Sequence, residues 1–584
     1  MTVSKPKPAT RGRRVLRGLP ASPGVARGRW SRIERQRLPD ARTIRADEAD
    51  VEITRLRAAA DAVAQASTAL AQRVRDAGHE AEAAIFSAHA AMAEDPELLN
   101  DAGRRIRAEA LDAIGAISAA GRAVADQLGA IDDELLRSRA ADVLDVANNI
   151  ARHLAGLGPA SATLREPTVV VARDLAPSMT ATLPRERLLA IALEASSPTA
   201  HAAILARAYG IPSIVGVPDL LAVLDAAGAE AEVLVDGSTG EIIVDPDEAD
   251  RERFAREEAE VRAGRTRDEA EAALPVVTRD GVTVTLLANI GSPGETGSAV
   301  RLGAHGVGLF RTEFLFLERS NPPSEKEQVE AYSAAAAALA PFPVTIRLLD
   351  VGGDKRIPYL QLAPEENPFL GVRALRLADV RPDLFLTQLR ACYRAGAHGE
   401  VKVMAPMVAD DRDVTAFLDL AAGARRDVIA DGYAIGEVGL GVMLEIPSAI
   451  LVASTYFARL QFASLGTNDL LQYTLAVDRG NARLERYRDP FHPAVLRLVH
   501  MAVAAAVRAG IDLSVCGEMA GDPLAAVALV GLGIRSLSLA PSNIPAVRRA
   551  IREVDLEHAQ AAAIAALGDS SAADARTRFA SLTR

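Results

Sequence analysis

His201 lies in Ser196-Ser197-Pro198-Thr199-Ala200-His201-Ala202-Ala203-Ile204-Leu205, a small-residue turn leading into an apolar run. Pro198 disfavours helix at the residue before it, so the spacing predicts a helix starting near Thr199, with that hydroxyl as its N-cap. A helix start offers unpaired backbone N–H groups and partial positive charge, which suits an imidazole carrying a phosphoryl group. A lone histidine beside apolar residues is also a common core residue, so its chemistry depends on what else the chain carries.

Two acids and several cations supply that context. Glu445 follows the apolar run Gly441-Val442-Met443-Leu444, and Asp469 follows Leu465-Gly466-Thr467-Asn468. A carboxylate pair of this kind suits Mg²⁺, which takes one or two protein carboxylates and completes its shell with water and substrate oxygens. Arg311, Arg347 and Arg479 offer planar donor forks that match carboxylate and phosphate. With Lys355 they fit a small, multiply anionic substrate carrying both groups. For Arg347, inside an apolar run, a structural salt bridge is the alternative. Cys516 ends another such run and is placed to donate a proton or act as a nucleophile, whereas Cys392 sits in a helical pattern and reads as core. Gly352-Gly353-Asp354-Lys355 lacks the spacing of a phosphate-binding P-loop, and the glycines at 436–441 fail the dinucleotide pattern.

The elements that must position these groups fall into zones. A short strand is expected at 16–30, broken at Pro20 and Pro23. From 47 to 157 the chain is Ala-rich with apolar residues three and four apart (Ile85, Phe86, His89, Met92; Val143, Val146, Ile150, Leu154), which predicts a helical bundle. Short β runs at 169–171, 190–193, 213–215 and 233–235 alternate with helices and give a small α/β domain holding His201. Residues 246–274 are charged and read as a linker helix with no core stripe wide enough for a domain. Eight β runs follow, at 282–289, 306–312, 344–350, 400–406, 439–445, 462–468, 513–517 and 536–539. Helical patterns separate them and a ninth helix closes the chain, which reads as a (β/α)8 TIM barrel. The expected fold is therefore multidomain α/β. The strand ends carry Arg311, Glu313, Asp350, Glu445, Asn468, Asp469, Cys516 and Glu518, on the rim where such barrels place active sites.

Composition excludes several classes. The 584 residues are too many for one core, and a net charge of −11 argues against a nucleic-acid surface. Two cysteines give no disulfide framework and no Cys-x-x-Cys metal site. Residues 1–14 are basic without an apolar core, so they read as a disordered tail and not a secretory signal. No run is long enough to insert in a membrane, and the expected compartment is the cytoplasm.

Taken together, the motifs resemble the Enzyme I family of the bacterial sugar phosphotransferase system, the phosphoenolpyruvate–protein phosphotransferases. The resemblance begins at Gly18-Leu19-Pro20-Ala21-Ser22-Pro23-Gly24. Its specific pieces include Leu309-Phe310-Arg311-Thr312-Glu313-Phe314-Leu315, Asp350-Val351-Gly352-Gly353-Asp354-Lys355 and Asn367-Pro368-Phe369-Leu370-Gly371-Val372-Arg373. Leu465-Gly466-Thr467-Asn468-Asp469-Leu470 and Cys516-Gly517-Glu518-Met519-Ala520-Gly521-Asp522 continue it. The resemblance implies that Glu445 and Asp469 hold Mg²⁺. It implies that Arg311, Arg347, Arg479 and Asn468 bind phosphoenolpyruvate, with Asp469, Lys355 and Arg373 beside them, and that Cys516 protonates the departing enolpyruvate. His201 would become a phosphohistidine and pass the group to the carrier protein HPr, docked on the bundle at 47–157. Residues 15–46 and 158–245 would form the phosphohistidine domain around that inserted bundle, and 275–584 a barrel that both binds phosphoenolpyruvate and forms a homodimer.

The chain departs from the family at the histidine. The family usually has Gly-Gly-x-Thr-Ser-His-Thr, where this chain has Ser196, Ser197 and Ala202. An imidazole followed by Ala-Ala is closer to phosphoenolpyruvate synthase and pyruvate phosphate dikinase, although the chain has no room for their ATP-binding domain. A non-catalytic relative that binds phosphoenolpyruvate for regulation is the rival from another class.

Overall fold

The computed structural model describes residues 12–582 except 34–37, 77–79, 130–133, 158–163, 165, 197–200, 209, 318, 320, 353–356, 361, 364, 479–483 and 485–486. The chain divides into two compact units, Met1–Thr266 and Arg267–Arg584.

In the first unit, strands β1 (Arg14–Arg17), β2 (Leu19–Ser22) and β3 (Val25–Arg32) precede five helices. These are α1 (Ala49–Asp76), α2 (Glu80–Ala93), α3 (Pro96–Ala108), α4 (Ala113–Gly129) and α5 (Glu134–Leu154). Their small and branched apolar faces meet in one core of residues such as Leu56, Ala60, Ile106, Ile117, Val146 and Ile150. Helix α3 starts cleanly because Asp95 caps it, accepting from Glu97 N–H at 2.7 Å, and Pro96 fills a position where no N–H is needed.

The chain then continues through β4 (Thr168–Ala172), α6 (Pro177–Thr182), β5 (Leu188–Leu193), α7 (His201–Ala208), β6 (Ser213–Val215) and α8 (Leu220–Ala227). Strands β7 (Glu232–Asp236) and β8 (Glu241–Val244) lead into α9 (Glu248–Glu271). All eight strands form one sheet in the order β1-β8-β7-β3-β4-β5-β6-β2. The bundle is thus an insertion, since β3 before it pairs in parallel with β4 after it. Alternate residues of the central strands feed different cores: Val169, Val171, Ala190 and Ala192 pack on one face, and Val170, Ala172, Ile191 and Leu193 on the other. That two-sided burial explains their uninterrupted apolar sequence.

Three expectations need correction here. The single broken strand at 16–30 is three strands, and Pro20 is tolerated inside β2 because β2 lies at the sheet edge. The tail reading included Arg13 and Arg14, yet Arg14 opens β1 and Arg13 donates to Asp250 at 2.6 Å; residues 1–11 lie outside the described set. The helix expected from 246 runs from Glu248 to Glu271, and its Phe254, 2% exposed, packs with Leu234 and Ile243 of the sheet.

The second unit is a closed barrel of parallel strands. They are β9 (Thr285–Ile290), β10 (Val307–Arg311), β11 (Val344–Arg347), β12 (Val401–Ala405), β13 (Val438–Leu444), β14 (Phe462–Leu465), β15 (Asp512–Val515) and β16 (Ser536–Leu539). Closure is made by β16 pairing with β9, Ser536 opposite Thr285. Most strands stop earlier than the apolar runs suggested. In particular β11 ends at Arg347, which therefore stands on the rim and not mid-strand. One ninth helix was expected at the end, but Ile544–Arg552 is followed by two more, Leu556–Ala566 and Ala572–Ala580. Among the described residues no helix is long and apolar enough to cross a membrane.

Candidate active site

The C-terminal ends of the barrel strands open into a pocket of about 780 Å³ whose wall includes Arg311, Arg347, Glu445, Asn468, Asp469 and Cys516. Arg311 and Arg347 are the last residues of β10 and β11, and Glu445 and Cys516 directly follow β13 and β15. Asn468 and Asp469 lie in the first turn of helix Thr467–Leu475 after β14. Lys355 and Arg479 lie outside the described residues.

Arg347 is 7% exposed and doubly paired. Its Nη2 donates to both oxygens of Glu313 at 2.8 Å, and Nη1 lies 3.1 Å from Asp350. Burial alone would lower its pKa, but attraction to Glu313, Asp350 and Glu445 wins and holds the guanidinium above its usual range. Its Nε is buried with no hydrogen-bond partner among the described residues, a donor left over for an anion. The salt-bridge reading of Arg347 is realised, and the same side chain lines the pocket. Arg311 is exposed, stacks at 5.2 Å over the Phe314 ring, and makes no hydrogen bond or ion pair with the described residues.

Arg373 is placed differently from the other cations. It is 3% exposed and absent from the pocket wall. Nη2 donates to both Asp350 oxygens at 3.0 Å and to Asp469 at 3.4 Å, while Nη1 donates to the Tyr473 hydroxyl at 3.2 Å. Its donors brace two acids, Asp350 and Asp469.

The acids are crowded. Glu313, Asp350, Glu445 and Asp469 are all buried, and the buried cations described beside them are Arg347 and Arg373. Packed this closely, the carboxylates repel one another. Burial, then repulsion from Asp469 and Asp350, pushes Glu445 up to about 8 against the pull of the two arginines. A divalent cation would relieve that repulsion between Glu445 and Asp469. Glu445 Oε1 accepts from Met407 N–H at 2.6 Å. Its Oε2 lies beside Gly466, where a Cβ would come within 2.9 Å of it, so the glycine keeps that oxygen accessible. No group of three or more His, Cys, Asp or Glu among the described residues is arranged to hold a metal. The carboxylate pair Glu445 and Asp469 on the pocket wall is the kind of donor set that suits an ion such as Mg²⁺, which keeps water and substrate oxygens in its shell.

Cys516 is 4% exposed, with Sγ 3.5 Å from Leu465 O. Burial pushes its thiol up to about 11, with the Glu445 charge adding to the shift, so the sulfur keeps its proton at neutral pH. Its carbonyl accepts from Asn289 Nδ2 at 3.1 Å, and Asn289 Oδ1 accepts from Ser538 at 2.6 Å.

In the first unit His201 is the opening residue of α7. Ala202, Ala203, Leu205 and Ala206 are buried, and Leu205 joins Leu70, Val74 and Phe86 of the bundle in one cluster. Arg207 donates to Ala21 O of β2 at 2.7 Å, tying the other end of the helix to the sheet. The expected Thr199 cap lies outside the described residues. Ser196 has φ +103°, a left-handed conformation that glycine adopts without strain.

Three family models match the chain: PEP-utilising enzyme, N-terminal, over residues 17–139; its mobile domain over 164–240; and its PEP-binding domain over 265–556. The phosphoenolpyruvate-protein phosphotransferase of Streptomyces coelicolor is 44% identical over 581 residues, covering 96% of this chain and 98% of that protein. The chain belongs to the phosphoenolpyruvate-protein phosphotransferase family. The Geobacillus stearothermophilus member is 37% identical over 550 residues and 94% of each chain. A solution NMR structure of Enzyme I is 31% identical over 42% of this chain and 99% of its own length, with a TM-score of 0.36.

For this phosphotransferase, sequence reasoning named most of the rim but not its internal pairing. Glu313 and Asp350 were visible only as charges near strand ends, although they fix Arg347. Asn289 was missed; the signal available was a polar residue closing an otherwise apolar strand.

Proposed function

We propose that the barrel pocket binds phosphoenolpyruvate and that His201 accepts its phosphoryl group, then passes it to the histidine of an HPr carrier protein, the first step of a sugar phosphotransferase system. The observation that carries this reading is the convergence of Arg311, Arg347, Asn468, Glu445, Asp469 and Cys516 on one pocket from five strands distant in sequence. Arg311, and Arg347 through its uncommitted Nε, pair with the phosphate and carboxylate oxygens, joined by Arg479 and Lys355. Arg373, with Asp350, braces Asp469 instead of touching substrate. Glu445 and Asp469 would hold Mg²⁺, which when bound neutralises substrate charge and aids in-line transfer.

The His201 imidazole nitrogen attacks phosphorus as the bond to the enol oxygen breaks. The Cys516 S–H then gives its proton to the terminal carbon of enolpyruvate, leaving pyruvate and a thiolate. A thiol held protonated by burial suits that donor role. The bundle of α1–α5, against which the His201 helix packs through Leu205, is the docking surface for HPr in this reading. The barrel would pair with a second copy, and the protein would work in the cytoplasm.

Incubation with ³²P-labelled phosphoenolpyruvate and Mg²⁺ tests the reading. Label should enter the chain and disappear in His201→Ala. Label persisting in that variant refutes His201 as the carrier, absence of label from the unaltered chain favours a regulatory relative, and labelling from ATP favours a dikinase-like enzyme.

A further inference from the structure

The opposite, N-terminal mouth of the barrel holds a second cavity of about 660 Å³, and it shares no residue with the rim pocket. Barrel interiors are normally filled by layers of branched aliphatic side chains. Here the cavity is lined by Thr345, Lys402, Ser514 and Ser536. Register puts Thr345 opposite Lys402 and Ser514 opposite Ser536, and Thr345, Lys402 and Ser536 are first or second residues of their strands.

Glycines of β13 make room for two of the wall's side chains, Lys402 and Phe462. A Cβ on Gly439 would come 3.3 Å from Lys402 Cγ, and one on Gly441 would come 2.5 Å from the Phe462 ring. The lysine stem and the aromatic ring therefore occupy room that two side chains would have filled. Phe462 also packs with Leu309, Met404, Met443 and Cys516, so one ring belongs both to the cavity wall and to the layer beneath the rim.

The nitrogen donors around this cavity are poorly used. Lys402 Nζ has one long contact, 3.7 Å to Glu400, and sits 5.8 Å from the Phe462 ring. Arg535 spends Nη1 on the carbonyls of Val530 and Ile534 at 2.8 Å, and its Nε and Nη2 have no partner among the described residues. His305 stacks edge-on to Phe342 at 5.8 Å, and its buried Nδ1 has no partner among the described residues. Asp512 is the acid in the wall, and Leu287, Phe342 and Leu513 supply apolar surface. Uncommitted donors beside an apolar wall are the makings of a site for an amphipathic anion.

We propose that this cavity binds a small monocarboxylate with an apolar body, its carboxylate held by Lys402 and its body laid against Phe342, Phe462 and Leu513. The probe is 4-fluorobenzoate, followed by ¹⁹F NMR as the intact chain is titrated. Binding should weaken at least about tenfold in Lys402→Met, be retained in Lys402→Arg, and be unchanged in the rim variant Arg311→Ala. Lys402→Met should still label itself from phosphoenolpyruvate, which separates this site from the rim. Binding that ignores Lys402→Met, binding lost in Arg311→Ala, or no binding at millimolar probe would each overturn the proposal.

Discussion

Cys516 offers a direct test of the proton-donor role. Burial pushes its thiol from the ordinary 9.0 up to about 11, with Glu445 adding to the shift and Ser464 and Arg347 opposing it. At pH about 8 that leaves roughly a hundredfold less thiolate than an exposed thiol carries, a difference of about 3 kcal/mol between protonation states. The fold holds the protonated form more tightly than the unfolded chain does. The stability from this group is therefore complete below pH 9 and is lost as pH rises towards 11. Iodoacetamide reacts only with thiolate, so short labelling pulses from about pH 7 to 11, read by peptide mapping, report the titration. The rate at Cys516 should climb with a midpoint near 11. The chain's other cysteine, Cys392, is 0% exposed and should stay unlabelled while the protein is folded, an internal control for unfolding at high pH. A midpoint at or below 9 would refute the reasoning, because such a sulfur has no advantage as a stored proton. The same profile should flatten at that peptide in Cys516→Ser, which has no thiol to alkylate.

Other outcomes follow from the rim and from the His201 turn. Arg347→Met leaves Glu313 and Asp350 buried without that partner and should cost about 3–5 kcal/mol, read by urea unfolding; a loss under about 1 kcal/mol would argue that the pair is solvated. Ser196→Gly relieves a residue at φ +103° and should stabilise its unit by about 1 kcal/mol, raising its thermal midpoint by about 2–4 °C. An unchanged or lower midpoint would show that the serine is not strained. Gly466→Ala puts a methyl 2.9 Å from Glu445 Oε2 and should weaken Mn²⁺ binding, measured by electron paramagnetic resonance, more than it lowers the melting temperature. Equal Mn²⁺ affinity in the variant would remove that oxygen from the metal site.

The sequence was most legible where local pattern and structure share a period. Three- and four-residue spacing specified the bundle, and apolar runs separated by helical stretches specified the eight barrel strands. Charge at the ends of those runs marked the rim. It was least legible where the outcome depends on a neighbour far along the chain. Pro20 breaks a strand by local rules, yet it fits in β2 because the tertiary arrangement makes β2 an edge.

The division is sharpest among the arginines. By itself the sequence determined that Arg311 and Glu445 arrive at the rim, because they close apolar runs, whereas Arg347 reads as mid-strand until β11 ends at it. Only the tertiary structure decided what each one does there. Arg373 was expected only beside the substrate-binding arginines, and the fold sets it against Asp350 and Asp469, 23 and 96 residues away, and spends its donors on them. Ion pairs of that separation depend on register and on side-chain reach across neighbouring strands, which no local periodicity encodes. The same holds for Lys402: a polar residue inside an apolar run gives no hint of the cavity that it shares with residues of other strands, such as Ser514 and Ser536.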